Sequence, residues 1–255
     1  MTDPFWPSRP WVVGHRGAPR QETENTLGSF EALIAIGADA VEFDVRRSSD
    51  GVLLVYHTQW LRHAPARRPV LIRNLTYAAI CAALSSTPQG RLHGRLCGGE
   101  SPPRLEDVVK QLGGRIRMDV EIKQVGYEAE VLNILNRHAP ADTYMVSSFR
   151  EGVVAACKRL QPGVRAGLGL LLDWHSAGTR VGRFSFRRAR RCGADFIVPH
   201  NALVDTSLLD HASRERMPVM VFTVNEPRRL ERLLHDQRVA GVITDIPDIA
   251  IEIRG

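Results

Sequence analysis

No stretch of the 255 residues reaches about 18 consecutive apolar side chains, the length a helix needs to cross a bilayer, so no transmembrane segment is expected. The opening MTDPFWPSRP is polar and broken by proline. It lacks the apolar stretch of a signal peptide, and a cytoplasmic location is the expectation. Cysteine is scarce. Cys81, Cys97, Cys157 and Cys192 lie far apart, match no zinc spacing, and read as reduced thiols without a chemical role. No low-complexity linker divides the chain, and no nucleic-acid motif or basic stripe interleaved with aromatics is found, so nucleic acid is not an expected partner.

Acid is in the minority. The chain has 34 Lys and Arg against 28 Asp and Glu, a net charge of +6, which permits steering of anionic partners such as phosphate esters. The densest basic cluster, Arg187, Arg188, Arg190 and Arg191, reads as a solvated helix face. Phe5, Trp6 and Trp11 are the aromatics of the N-terminal segment; they read as a cover for one end of the fold more readily than as a membrane anchor.

With 44% apolar and 24% charged residues the chain can build a large core. Strand-like runs alternate with amphipathic helical stretches from end to end: WVVG (11–14), AVEFDV (40–45), LLVYH (53–57), RMDVEI (117–122), YMVSSF (144–149), RAGLGLLL (165–172), DFIVP (195–199), VMVFTV (219–224) and GVIT (241–244). Such alternation argues for a parallel sheet with right-handed crossovers.

Of these nine runs, LLVYH is the odd one. Residues 46–52 are too few for a parallel crossover, and Ser49-Asp50-Gly51 is a turn signal, so LLVYH should return antiparallel as a hairpin. A two-residue turn about Asp50-Gly51 would set His57 across from Asp44. Eight parallel strands remain, and the expected fold is a single (β/α)8 barrel domain over residues 1–255 with a β-hairpin insertion after the second strand.

In such barrels chemistry sits at the C-terminal ends of the strands. His15 and Arg16 follow the first strand, Glu42 and Asp44 end the second, and Glu121 and Lys123 end the third. Because strand side chains alternate, Glu42 and Asp44 share one face, as do Glu121 and Lys123. Like charges on one face repel unless a cation separates them. Three carboxylates without cysteine suit a hard divalent cation, Mg2+ or Ca2+. His15 and His57 are the natural acid–base pair, and Arg16 and Lys123 can bracket an anion. Together these groups describe a phosphodiester site. His63, His93, His138, His175, His200, His211 and His235 read as structural. So do Asn25 and Thr26, as helix caps, and Asp245, as a group holding its loop.

The stretch GHRGAPRQETENTLGSFEALIAIGADAVEFDVRRSSDGVLLVYH (14–57) strongly resembles the glycerophosphodiester phosphodiesterases. The likeness continues through LIRNLTYAAI (71–80), PRLEDVV (103–109), VEIK (120–123), VSSF (146–149), FTVN (222–225) and GVITDIP (241–247). It implies a TIM barrel that hydrolyses glycerophosphodiesters to glycerol 3-phosphate and an alcohol with a divalent cation. The family's histidine pair matches His15 and His57, its metal carboxylates match Glu42, Asp44 and Glu121, and its phosphate-binding groups match Arg16 and Lys123. The resemblance further implies attack of the glycerol 2-hydroxyl on phosphorus to give a cyclic phosphate that water opens. Two positions depart from the family: Thr58 stands where Asp is usual after the second histidine, and Phe222 where Trp is common. The sequence leaves open a related phosphodiesterase acting on lysophospholipids, sugar phosphodiesters or cyclic phosphates. It also leaves open a non-catalytic barrel that binds phosphate esters.

Overall fold

A computed structural model describes residues 5–62, 69–86, 101–171 and 181–255. Cys97, His63, His93 and His175 lie outside the described residues.

Eight parallel strands form the barrel: β1 (Trp11–His15), β2 (Ala40–Arg47), β6 (Arg117–Ile122), β7 (Tyr144–Ser148), β8 (Ala166–Leu170), β9 (Phe196–Pro199), β10 (Met220–Val221) and β11 (Gly241–Thr244). They pair in the order β10-β11-β1-β2-β6-β7-β8-β9. Single bridges Ile197–Val219 and His200–Phe222 join β9 to the β10 segment and close the ring. This is the expected (β/α)8 barrel.

Helices α1 (Leu27–Ile36), α3 (Leu105–Leu112), α4 (Glu128–His138), α5 (Glu151–Leu160), α6 (Val181–Cys192), α7 (Thr206–Glu215), α8 (Pro227–Leu234) and α9 (Pro247–Arg254) accompany the strands. Their sequences explain their ends and faces. Thr26 caps α1 by accepting the Ser29 amide, and Gly37 ends it in the left-handed region. In α3 the buried residues Leu105, Val108, Val109 and Leu112 fall at helical spacing and pack into the core shared with β2 and β6. The arginines of α6 form the solvated face expected of them, with Arg187, Arg190 and Arg191 exposed and Arg188 half-buried; Arg188 and Arg191 also pair with Glu151, and Arg190 with Glu215.

Phe5, Trp6 and Trp11 pack together at 5.2–5.5 Å between ring centroids, with Trp6 against Phe196. Their cluster includes Val13, Ala40, Phe196 and Met220, residues at or near the starts of β1, β2, β9 and β10. The aromatic segment thus covers the N-terminal end of the barrel.

The insertion after β2 is larger than a hairpin. Strand β3 (Leu53–Val55) pairs antiparallel with β2, but a separate two-stranded sheet, β4 (Trp60–Arg62) with β5 (Pro69–Leu71), and helix α2 (Tyr77–Ser86) follow. The hairpin register also differs by one residue. Val45 pairs with Val55 and Arg47 with Leu53, so Tyr56, not His57, stands opposite Asp44. The loop has three residues, Ser49-Asp50-Gly51, rather than two. The Ser48 amide donates to the Val52 carbonyl at 3.0 Å, and Gly51 takes φ +85°, a conformation that favours glycine.

Candidate active site

Register assembles the site. β2 lies between β1 and β6, with His15 beside Glu42, Glu42 beside Asp119, and Asp44 beside Glu121. One oxygen from each of Glu42, Asp44 and Glu121 lies within 4.8 Å of the others. A cavity of 330 Å3 opens here at the C-terminal ends of the strands, lined by His15, Arg16, Glu42, His57, Glu121 and Lys123 among others. Asp44 lies behind this lining, 1% exposed.

The two basic groups are turned onto the carboxylates. Lys123 Nζ bridges Asp44 Oδ1 at 2.7 Å and Glu121 Oε1 at 2.6 Å. Arg16 reaches Asp44 Oδ2 with Nε at 3.1 Å and Glu24 with Nη1 at 2.9 Å. Arg16 takes φ 59°, an uncommon conformation for a non-glycine residue. Its amide donates to the Glu42 carbonyl at 2.7 Å, tying the end of β1 to β2.

Charge in the cluster does not balance. Burial, with Asp44 and Glu121 nearby, raises the Glu42 carboxyl well above the usual range. Burial also acts to raise Asp44, but Lys123, Arg16 and His57 outweigh it and hold Asp44 well below that range. Burial raises Glu121 too, with Asp44 adding to the shift and Lys123 opposing it. Two cations therefore neutralise only part of a three-carboxylate set. An oxygen-only donor set with surplus negative charge fits a hard divalent cation.

The histidines differ in support. His15 Nδ1 lies 2.6 Å from Asp245 Oδ1. Asp245 is itself held by Asn225, whose Nδ2 bonds Asp245 Oδ2 and whose Oδ1 accepts the Asp245 amide at 2.9 Å. Burial acts to raise Asp245, but the His15 and Asn225 hydrogen bonds lower it overall, so it stays ionised. His57 is held through its backbone: Arg46 Nε and Nη2 both donate to the His57 carbonyl, at 2.8 and 2.6 Å. Burial, reinforced by Arg16, Lys123 and Arg46 and opposed by Asp44, pushes the His57 imidazole down to about 4. At neutral pH it is uncharged.

All seven residues singled out by sequence meet at this end of the barrel. Asn25 is a correction. Thr26 alone caps α1, whereas Asn25, in the left-handed region at φ 59°, donates Nδ2 to Asp44 Oδ2 at 2.9 Å. Asp245 likewise supports His15 rather than only its loop. Asp119 was not anticipated. It is fully buried, lines the cavity, and shares the inward parity of Glu121. Burial pushes its carboxyl up to about 7 despite the neighbouring Ser147. Among the described residues, neither of its oxygens has a hydrogen bond of normal geometry.

The remaining wall is mostly apolar, with the hydroxyl residues Ser147, Ser148 and Thr223 set among Phe149, Leu171, Val198, Phe222 and Ile243. Phe149 and Phe222 meet edge to face at 5.4 Å. A side chain at position 169 would place its first carbon 2.5 Å from the Phe149 ring, so Gly169 makes room for that ring in the barrel mouth. Phe222 keeps an aromatic at the position where Trp was noted. His200 packs against Phe222 and accepts the Ala202 amide, a structural role.

The model of the glycerophosphoryl diester phosphodiesterase family matches residues 15–249. A glycerophosphodiester phosphodiesterase of Caldanaerobacter subterraneus subsp. tengcongensis is 24% identical over 252 residues, covering 95% of this chain and 96% of that protein. One from Bacillus altitudinis is 25% identical, covering 95% of this chain and 97% of its own. The structure of an Oleispira antarctica phosphodiesterase in complex with the product sn-glycerol-3-phosphate superposes with TM-score 0.79 at 23% identity, covering 96% of each chain. A glycerophosphodiester phosphodiesterase from Agrobacterium tumefaciens superposes with TM-score 0.75 at 21% identity, covering 95% of this chain and 99% of that one. At these identities the likeness to solved structures speaks for the barrel fold.

Proposed function

The chain belongs to the glycerophosphoryl diester phosphodiesterase family, and from that premise we propose that it hydrolyses glycerophosphodiesters to glycerol 3-phosphate and an alcohol, with residues 1–255 forming one such domain. The observation that carries this reading is the carboxylate triad Glu42, Asp44 and Glu121, one oxygen of each within 4.8 Å of the others, at the wall of a cavity lined by both His15 and His57.

Glu42, Asp44 and Glu121 are the residues that would hold Mg2+ or Ca2+, and the ion when bound supplies charge neutralisation to the substrate phosphate. Arg16 and Lys123 have donors beyond those given to Asp44, Glu24 and Glu121, and these are available to phosphate oxygens.

His57, uncharged at neutral pH, is the base that takes the proton of the glycerol 2-hydroxyl as its oxygen attacks phosphorus. The bond from phosphorus to the alcohol oxygen breaks. His15, oriented by the ionised Asp245, gives that oxygen its proton. In the second half the roles reverse: His15 takes a proton from water, the water oxygen opens the cyclic phosphate, and His57 returns a proton to the 2-oxygen. No net proton is consumed by the two histidines over the cycle.

The test is release of glycerol 3-phosphate from glycerophosphocholine and glycerophosphoethanolamine in EDTA, then with Mg2+ or Ca2+ restored, beside His15→Ala and Glu42→Ala. Turnover that the metal restores and both substitutions abolish is the expected result. No turnover by folded, metal-loaded protein on either substrate would overturn the reading.

A further inference from the structure

We propose that the barrel mouth carries a second anion subsite, which takes a phosphate group borne by the alcohol half of the substrate; the inference rests on the phosphodiesterase reading above. Beside the catalytic cavity lies an open groove of 910 Å3, lined by Arg47, Gln59, Trp60, Arg73, Gln124 and Arg150 together with the β2–β3 loop. Three chain segments serve both places. Lys123 faces the cavity and Gln124 the groove; Phe149 faces the cavity and Arg150 the groove; His57 faces the cavity and Gln59 the groove. The cavity and the groove thus share a rim, across which the alcohol half of a diester held among the catalytic groups can extend.

The groove's charge decides which alcohol suits it. Arg47 pairs with Glu130 at 3.0 Å, but among the described residues neither Arg73 nor Arg150 is in an ion pair. Arg150 gives Nε to the Lys123 carbonyl at 3.2 Å, which leaves its terminal nitrogens for a ligand. The acid in the lining, Asp50, is already engaged: Ser48 Oγ donates to its Oδ1, and the Tyr77 amide donates to the same oxygen at 2.9 Å. Trp60, 46% exposed, offers an aromatic face on which a quaternary ammonium could sit. With Arg47 offset by Glu130, Arg73 and Arg150 outnumber the lining acid, Asp50, so the groove repels such a cation and attracts an anion. Guanidinium forks match phosphate oxygens. The amides of Gln59 and Gln124 can both donate to and accept from hydroxyls. The class that fits is a glycerophosphodiester whose alcohol is a polyol carrying a further phosphate, free or as a lipid headgroup.

The test compares bis(glycerophospho)glycerol, which has a second phosphate, with glycerophosphocholine, for wild type, Arg73→Gln and Arg73→Lys. The expected result is a wild-type kcat/KM ratio favouring the doubly anionic substrate. Arg73→Gln should cut that ratio about tenfold, the equivalent of one charge-assisted contact, with partial recovery in Arg73→Lys. Calorimetry in EDTA reads the same preference as affinity, without turnover. Turnover of glycerophosphocholine with no preference for the second phosphate would overturn the subsite and leave the phosphodiesterase reading standing, as would equal losses on both substrates in Arg73→Gln. A calorimetric preference that depends on Arg73, without turnover of either compound, would overturn the phosphodiesterase reading instead. An Arg73 effect confined to phosphatidylglycerol vesicles, and absent with the soluble compound, would assign the arginines to a lipid surface and overturn the subsite.

Discussion

His15 Nδ1 and Asp245 Oδ1 stand 2.6 Å apart although 230 residues separate them in the chain. The pairing of β1 with β11, Gly14 beside Thr244, brings them together. The carboxylate orients the imidazole so that the other ring nitrogen is presented to the cavity.

Asp245→Asn should therefore lower kcat by about ten- to a hundredfold, part of the range attributed to a positioned acid or base, with little change in KM. The kcat-against-KM split on glycerophosphocholine checks this. A loss carried by KM alone would remove the positioning role.

His57 predicts a pH dependence of stability. Its folded value, about 4, lies below the ordinary 6.5, so the folded state favours the neutral imidazole. The unfolded chain binds the proton first as pH falls. The contribution is fully present above pH 6.5 and is lost as pH falls toward 4. In EDTA, wild type should lose more stability over this window than His57→Gln, measured by urea unfolding at pH 7 and pH 4.5. Parallel losses in the two proteins would show that His57 is not buried uncharged.

Much of this arrangement was legible in the sequence. Alternation alone puts Glu42 with Asp44 and Glu121 with Lys123 on common faces, and strand ends mark the catalytic rim. The same alternation in RMDVEI also puts Asp119 on the face of Glu121. Other features depended on geometry that sequence patterns do not carry. One extra loop residue shifted the β2–β3 register, because Ser48 closes a three-residue turn. The β4–β5 sheet has three residues per strand, too few for periodicity to register. Asn25 looks like a cap because it precedes a helix; only its left-handed backbone swings the amide to Asp44. The contact between His15 and Asp245 requires the barrel to close.

Asp119 gives a stability change of the opposite sign. Its folded value, about 7, lies above the ordinary 3.8, so the folded state binds the proton that the unfolded chain releases. Stability falls as pH rises from about 4 to 7, by on the order of a few kcal/mol. Asp119→Asn has no such charge to bury. In EDTA its stability relative to wild type should improve steadily between pH 4 and pH 7 and level off above. A difference between the two proteins that does not change with pH would mean that Asp119 is ionised throughout.

Glu42 separates a metal site from a set of structural ion pairs. Burial and two neighbouring carboxylates raise its pKa, so its charge costs the metal-free fold rather than supporting it. Replacing it by Gln keeps the shape and removes the repulsion. In EDTA at pH 8, Glu42→Gln should unfold at the same or a higher urea concentration than wild type. Its affinity for Mg2+ or Ca2+ should fall by more than about tenfold, the lower bound for losing even a group that only supports a ligand. Calorimetric titration of the ion and urea unfolding, done on the same preparation, give the two readings. Were Glu42 a structural acid paired with Arg16, the pattern would invert: the metal-free variant would be destabilised and ion affinity would not move. The weak contact between the Arg16 amide and Glu42 Oε2, 3.3 Å, leaves most of that carboxylate's hydrogen-bonding capacity for a cation.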